Sequence, residues 1–156
     1  MLERKDVTWF PSYGAEMRGG TANCTVIISD NMIGSPVVFT PDILVIMNKA
    51  SLHKFQSGLK QKGLLFFDSS FIKDPDIRGD VEPVSVPATK IASSIGSTKS
   101  ANMVMLGAII AGTSLLKKSS VIRMFENTGG SILKNGSKIN TISLLEGIKY
   151  IENKKS

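Results

Sequence analysis

Two short, continuously apolar runs flank a stretch of helical spacing near the middle of this chain. They are residues 42–47 (Asp-Ile-Leu-Val-Ile-Met) and 64–68 (Leu-Leu-Phe-Phe-Asp), with a helical stretch over 50–59 that Gly63 terminates. A run without polar alternation is expected of a strand covered on both faces. Strand, helix and strand in that order make a crossover whose strands are parallel and whose hand is right. This constraint fixes an α/β fold before any other segment is considered.

The remaining segments extend it. Residues 6–11 and 22–29 are rich in β-branched and aromatic side chains and are expected to be strands. A polar turn at 30–34 leads to residues 35–39, a candidate edge strand that tolerates Pro36. After the punctuated polar stretch 69–80, residues 81–86 are a short strand at a sheet edge. Pro87 then precedes a helix over 89–95 that Gly96 closes. Residues 101–116 are apolar almost all round. They fall short of the ~20 residues a membrane span needs and contain Gly107 and Gly112. A helix buried within the domain or at a subunit contact is the expectation, with its glycines allowing a neighbour close. Residues 120–125 continue as a short helix that Ser119 or Ser120 could cap. Asn127 to Gly130 and Asn135-Gly136 signal loops. Residues 139–151 form a last helix, ending in a frayed Asn-Lys-Lys-Ser. There is no internal repeat or linker.

Chemistry-bearing residues are few. The 156 residues hold one cysteine, Cys24, and one histidine, His53, so neither a disulfide framework nor a zinc or iron–sulfur site can be built from this chain alone. This fits a reducing, cytoplasmic setting, and the first residues lack the apolar core of a signal sequence. Cys24, within a strand, is expected to be a buried small hydrophobe. His53 lies on a helix and is expected to be solvated, and Asp42 and Asp68 to cap loops at strand ends. No nucleophile–base pair and no phosphate-binding glycine loop is present. The net charge of +6 raises an alternative, a free-standing basic α/β protein binding a nucleotide or nucleic acid. The lysines are dispersed, however, and do not alternate with aromatics.

The distinctive stretch is residues 7–24: a strand stopped by Pro11 and expected to be buried, a polar loop with Tyr13, Glu16 and Arg18, then Gly19-Gly20 opening a second strand. Arg18 carries a permanently charged fork, and the paired glycines permit positive φ or close backbone approach. The segment Trp9-Phe10-Pro11-Ser12-Tyr13-Gly14-Ala15-Glu16-Met17-Arg18-Gly19-Gly20-Thr21-Ala22-Asn23-Cys24 resembles, nearly residue for residue, the gamma subunit of 2-oxoacid:ferredoxin oxidoreductases. The likeness continues through 26–30, 33–38, 41–44, 86–92 and 100–104, and so covers most of the chain. Its Trp-Phe-Pro-Ser-Tyr-Gly form leans toward 2-oxoglutarate and branched-chain members over pyruvate.

The resemblance implies a single three-layer α/β domain over 1–156 with a mixed, largely parallel sheet. It also implies a start without the family's opening strand, Gly-x-Gly-Gly-Gln-Gly loop and helix. The activity it implies is oxidative decarboxylation of a 2-oxoacid to acyl-coenzyme A, with electrons passed to ferredoxin. Thiamine diphosphate would be held by alpha and beta subunits, iron–sulfur clusters would take the electrons, and a ferredoxin-like delta subunit would complete the assembly. This chain would be a non-redox module that completes the complex and aids coenzyme A access. No membrane or nucleic-acid partner is implied. Ser12, Tyr13, Gly14, Glu16, Arg18, Gly19, Gly20 and Asn102 would form a subunit-interface or coenzyme A-proximal site. In it Tyr13 is an aromatic anchor, and Arg18 meets either a subunit or a phosphate or carboxylate of coenzyme A or substrate.

Overall fold

The computed structural model describes residues 3–12, 22–113, 115–128 and 136–155. Two strands, β1 (Asp6–Ser12) and β2 (Asn23–Ser29), form an antiparallel ribbon. Strand β3 (Ile43–Ile46), helix α1 (Lys49–Phe55), strand β4 (Leu64–Asp68) and strand β5 (Glu82–Val86) follow. Strands β3, β4 and β5 lie in that order, all parallel, with Ile43 beside Leu64 and Leu64 beside Glu82. Four helices complete the chain: α2 (Ala88–Ile95), α3 (Ala101–Thr113), α4 (Lys118–Thr128) and α5 (Gly136–Lys155).

The central strand β4 organises the layers by its period of two. Leu65 and Phe67 point into one apolar cluster with Ile46, Leu52 of α1, Leu59, Ile72 and Val81. Phe66 points the other way, into a larger cluster built from Val86 and the buried faces of α2, α3 and α5. Helix, sheet and helices therefore make the three layers expected. Helix α3 is buried along most of its circumference, including Val104, Met105, Ala108 and Ile110, as its all-round apolar sequence requires. No helix among the described residues is long and apolar enough to cross a membrane.

Glycines set the close packing. A Cβ on Gly107 would run into the backbone of Leu144 and Ile148, and one on Gly147 into the backbone of Val104 and Ala108. Helices α3 and α5 thus meet backbone to backbone at two points. A Cβ on Gly112 would stand 2.8 Å from the Phe66 ring, so that glycine admits the ring between helix and sheet. Gly96 closes α2 at φ +100°, and the Gly96 and Ser97 N–H groups both return to the Ala92 carbonyl. This is the left-handed cap its sequence signals.

Several boundaries differ from the sequence expectation. Residues 35–39 are not a strand: the Ser35 hydroxyl accepts from the Val37 N–H (3.2 Å), a local bond that competes with a ladder. Helix α1 starts at Lys49 because Asn48 caps it, its side chain accepting from the Ser51 N–H at 2.9 Å. It yields at Gln56 to a short 3-10 turn, Gln56–Gly58, because Arg78 takes up carbonyls there, as described below. Helix α4 runs through Asn127 and Thr128, and α5 begins at Gly136 and holds to Lys155. That last turn is not frayed: the Lys155 ammonium donates to the Ala111 carbonyl (3.1 Å) and Lys118 pairs with Glu152. Strand β3 is not covered on both faces, since Val45 is 40% exposed; among the described residues it pairs with β4 alone.

Candidate functional site

The ribbon is the part of the described structure that carries the distinctive sequence. Its ladder runs from Asp6 opposite Ser29 to Ser12 opposite Asn23. The segment 13–21 joins the two strands beyond that last pair. Tyr13, Gly14, Glu16, Arg18, Gly19 and Gly20 lie outside the described residues. Ser12 is exposed at the end of β1, and Asn102 is exposed in the first turn of α3, where its side-chain oxygen accepts from the Met103 N–H at 2.9 Å.

Residues directly opposite in an antiparallel pair share a face. One face of the ribbon therefore carries Val7 and Ile28, Trp9 and Val26, and Pro11 and Cys24. All six are apolar. The other face mixes Thr8, Phe10, Ser12, Asn23, Thr25 and Ile27. No residue of either strand is buried, and neither apolar cluster includes one. Trp9 is 60% exposed and Val26 53%. Two expectations are corrected here. The strand that feeds the loop is not buried, because this face has no cover within the described chain. Cys24 is exposed rather than a buried hydrophobe, for the same reason.

The ribbon is tied at its base. The Glu3 carboxylate accepts from the Lys117 N–H ahead of α4 (2.9 Å). A hydrogen bond from the Ser120 side chain, then the Lys117 amide and charge, hold its pKa below the ordinary carboxylate value. Lys5 and Asp30 pair across the open end of the ladder at 2.7 Å.

Two polar clusters hold the α/β body, the first around Asp68, which the sequence reading singled out, and the second around Arg78, which it did not. Asp68, fully buried at the end of β4, accepts from the Ser70 N–H (2.9 Å), the Thr89 N–H (3.2 Å) and the Thr89 hydroxyl (2.6 Å). It caps its own loop, as expected of a strand-end aspartate, and also the start of α2. Arg78 grips both oxygens of Asp80 (2.9 and 2.6 Å). It also donates to the carbonyls of Gln56, Ser57 and Leu59, each at 3.0 Å. That hydrogen bonding lowers the pKa of Asp80. The Asp-x-Arg-x-Asp spacing at 76–80 is the only sequence signal for this clasp. Asp42 pairs with Lys60 (2.7 Å), and His53 is exposed on α1.

Among the described residues no three His, Cys, Asp or Glu side chains converge. An iron–sulfur cluster, or the divalent cation that accompanies a diphosphate, finds no ligand set there. The shallow clefts at 39–40, 57–62 and 78 are lined by Lys60 and Arg78, whose charges are already engaged by Asp42 and Asp80.

The fold is thus a three-layer α/β unit bearing an exposed β-ribbon. The sequence profile described as "Pyruvate ferredoxin/flavodoxin oxidoreductase" matches residues 1–147, and the chain belongs to that family. It is 41% identical over 109 residues to the ketoisovalerate oxidoreductase subunit VorA of Methanothermobacter thermautotrophicus, across 70% of this chain and 22% of that protein. It is 35% identical over 125 residues to the 2-oxoglutarate synthase subunit KorC of Methanocaldococcus jannaschii, across 78% of this chain and 66% of that one. The chain therefore spans less than a quarter of the VorA protein. The fold is shared with the gamma subunit of a keto/oxoacid ferredoxin oxidoreductase from Geobacter sulfurreducens. There the TM-score is 0.80 at 24% identity, over 97% of this chain and 83% of that one. A free-standing nucleic-acid-binding protein finds no support in these likenesses.

Proposed function

We propose that this chain is the gamma component of a multisubunit 2-oxoacid:ferredoxin oxidoreductase and acts as its non-redox assembly module. The observation that carries the reading is family membership together with a ribbon that ends at the Ser12–Asn23 pair and leads into the Tyr13 to Gly20 sequence. In this reading the reaction falls to partner subunits. Thiamine diphosphate and the iron–sulfur clusters reside on those alpha, beta and ferredoxin-like delta chains, and ferredoxin is reached through the complex. Similarity to ketoisovalerate and 2-oxoglutarate enzymes favours a branched-chain or 2-oxoglutarate substrate.

Within this reading, Ser12, Tyr13, Gly14, Glu16, Arg18, Gly19 and Gly20 form the docking loop. Arg18 and Glu16 make charge-assisted contacts and Tyr13 anchors, while Asn102 offers a second polar contact from α3. Coenzyme A is the other candidate for the Arg18 fork, through a phosphate. The test is Arg18→Ala in the intact complex, with assembly and acyl-coenzyme A formation both measured. Loss of either supports the loop's role. Normal assembly with unchanged product formation removes the loop from both roles, and turnover of a 2-oxoacid by the isolated chain overturns the module reading altogether.

A further inference from the structure

We infer that Ser143 of α5 is a positioning residue for Asn102, acting through Ser100 to fix the turn from which that amide is presented. The inference rests on the reading above that places Asn102 in the site. A short 3-10 turn, Thr98–Ser100, leads directly into α3 at Ala101. The Ser143 hydroxyl donates to the Ser100 hydroxyl at 2.8 Å, and the Ser100 hydroxyl donates to the Ser97 carbonyl at 2.8 Å. Ser97 is held in turn by its own N–H, which returns to the Ala92 carbonyl of α2. One relay therefore ties α5, the turn and the end of α2 together, and Asn102 stands two residues beyond it.

Packing alone does not account for the pair. Both serines are buried, and their chain neighbours Ala101 and Leu144 belong to the larger apolar cluster. A buried hydroxyl costs free energy unless it is bonded, and replacing both members of a bonded pair by apolar groups of similar shape is nearly neutral. Two alanines would fill the place about as well. What the hydroxyls add is direction, because a fully satisfied buried network holds one arrangement. The backbone contacts at Gly107 and Gly147 hold α3 and α5 together farther along, and the hydroxyl pair holds the beginning of α3. Direction matters at Asn102, whose exposed side chain already has its Oδ1 accepting from the Met103 N–H at 2.9 Å. Its amide nitrogen, a donor only, is then the group that meets an acceptor oxygen of a partner. A donor on the first turn of a helix aims only as well as that turn is held.

The experiment measures acyl-coenzyme A formation by the intact complex carrying Ser143→Ala, Ser100→Ala with Ser143→Ala, Asn102→Ala, or Asn102→Ala with Ser143→Ala. Unfolding midpoints of the isolated chains are measured alongside. Ser143→Ala is expected to lower product formation by about 2- to 10-fold, the factor that one hydrogen bond carries. The double serine variant is expected to unfold at the wild-type midpoint and to show the same fall, which a purely structural pair would not produce. Adding Ser143→Ala to Asn102→Ala is expected to change nothing further, because the residue it positions is already gone. Recovery of product formation in the double serine variant, or its failure to fold, assigns the pair to the core and overturns the inference. A fall for Ser143→Ala that multiplies with that of Asn102→Ala overturns it as well. A fall for Asn102→Ala with none for Ser143→Ala overturns it while the placing of Asn102 stands. No fall for Asn102→Ala removes that residue from the site, and this inference with it.

Discussion

Gly147 of α5 lies against the backbone carbonyl of Val104 in α3, and Gly107 of α3 lies in the same way against the carbonyl of Leu144. The two glycines make one reciprocal contact between helices. Neither could carry a Cβ without moving main chain, because the obstructing atoms are backbone rather than the ends of flexible side chains.

Gly147→Ala sets two effects against each other. Alanine gains about 1 kcal/mol of helix propensity, whereas overpacking a rigid contact typically costs about 1–3 kcal/mol. With main chain as the obstacle the clash wins. The expected result is a lower urea midpoint at an unchanged m-value, and an unchanged or higher midpoint would refute the contact.

Asp68→Ala empties a buried site and leaves the part-buried Thr89 and Ser70 N–H groups without their acceptor. A loss of about 2–4 kcal/mol is expected, with Asp68→Asn milder because its amide oxygen still accepts. Equilibrium unfolding decides it: equal, negligible effects from both variants would mean that the cap is dispensable.

The Arg78–Asp80 clasp gives a pH dependence of definite sign. Asp80 has a depressed pKa in the folded chain, chiefly because Arg78 hydrogen-bonds it. Its contribution is therefore complete above the ordinary carboxylate range and is lost as pH falls through the lowered folded value. Amide exchange at Leu59 and Lys62, whose N–H groups bond the Gln56 and Asp80 carbonyls, should stay slow through mildly acidic pH and rise only below it. Arg78→Lys, which cannot reproduce the fork, should raise exchange there even at neutral pH. Equal exchange in both proteins would dismiss the clasp.

Asn102→Ala separates folding from assembly. The side chain is exposed and bonds only its neighbouring amide among the contacts described. The isolated chain should keep its stability within about 0.5 kcal/mol. In the assembled complex acyl-coenzyme A formation should fall. Unchanged formation would remove Asn102 from the site.

The parallel body was legible in the sequence because its signals are local. The run 64–68 contains β4 without adjustment, and Gly96 stops α2 where a left-handed residue is needed. Gly107 and Gly112 foretold close approach, though not that Gly147 would answer Gly107. Burial was the harder inference. Val7, Trp9 and Val26 are as apolar as core residues, and composition cannot distinguish a covered strand from an exposed one. The same ambiguity misplaced Cys24 and overstated the cover on β3. The Arg78 clasp escaped notice because its three carbonyl bonds join residues 19 to 22 positions apart, which the local Asp-x-Arg-x-Asp spacing does not reveal. For the candidate site, motif likeness marked the segment, and only the strand register revealed that one side of it is uniformly apolar.

The link between Glu3 and Lys117 has a practical corollary. Because the ribbon shares no apolar cluster with the body, heating the isolated chain would chiefly record the melting of the helices and parallel strands. A thermogram would then say little about the ribbon, and a variant could keep its melting temperature while the ribbon itself has come apart.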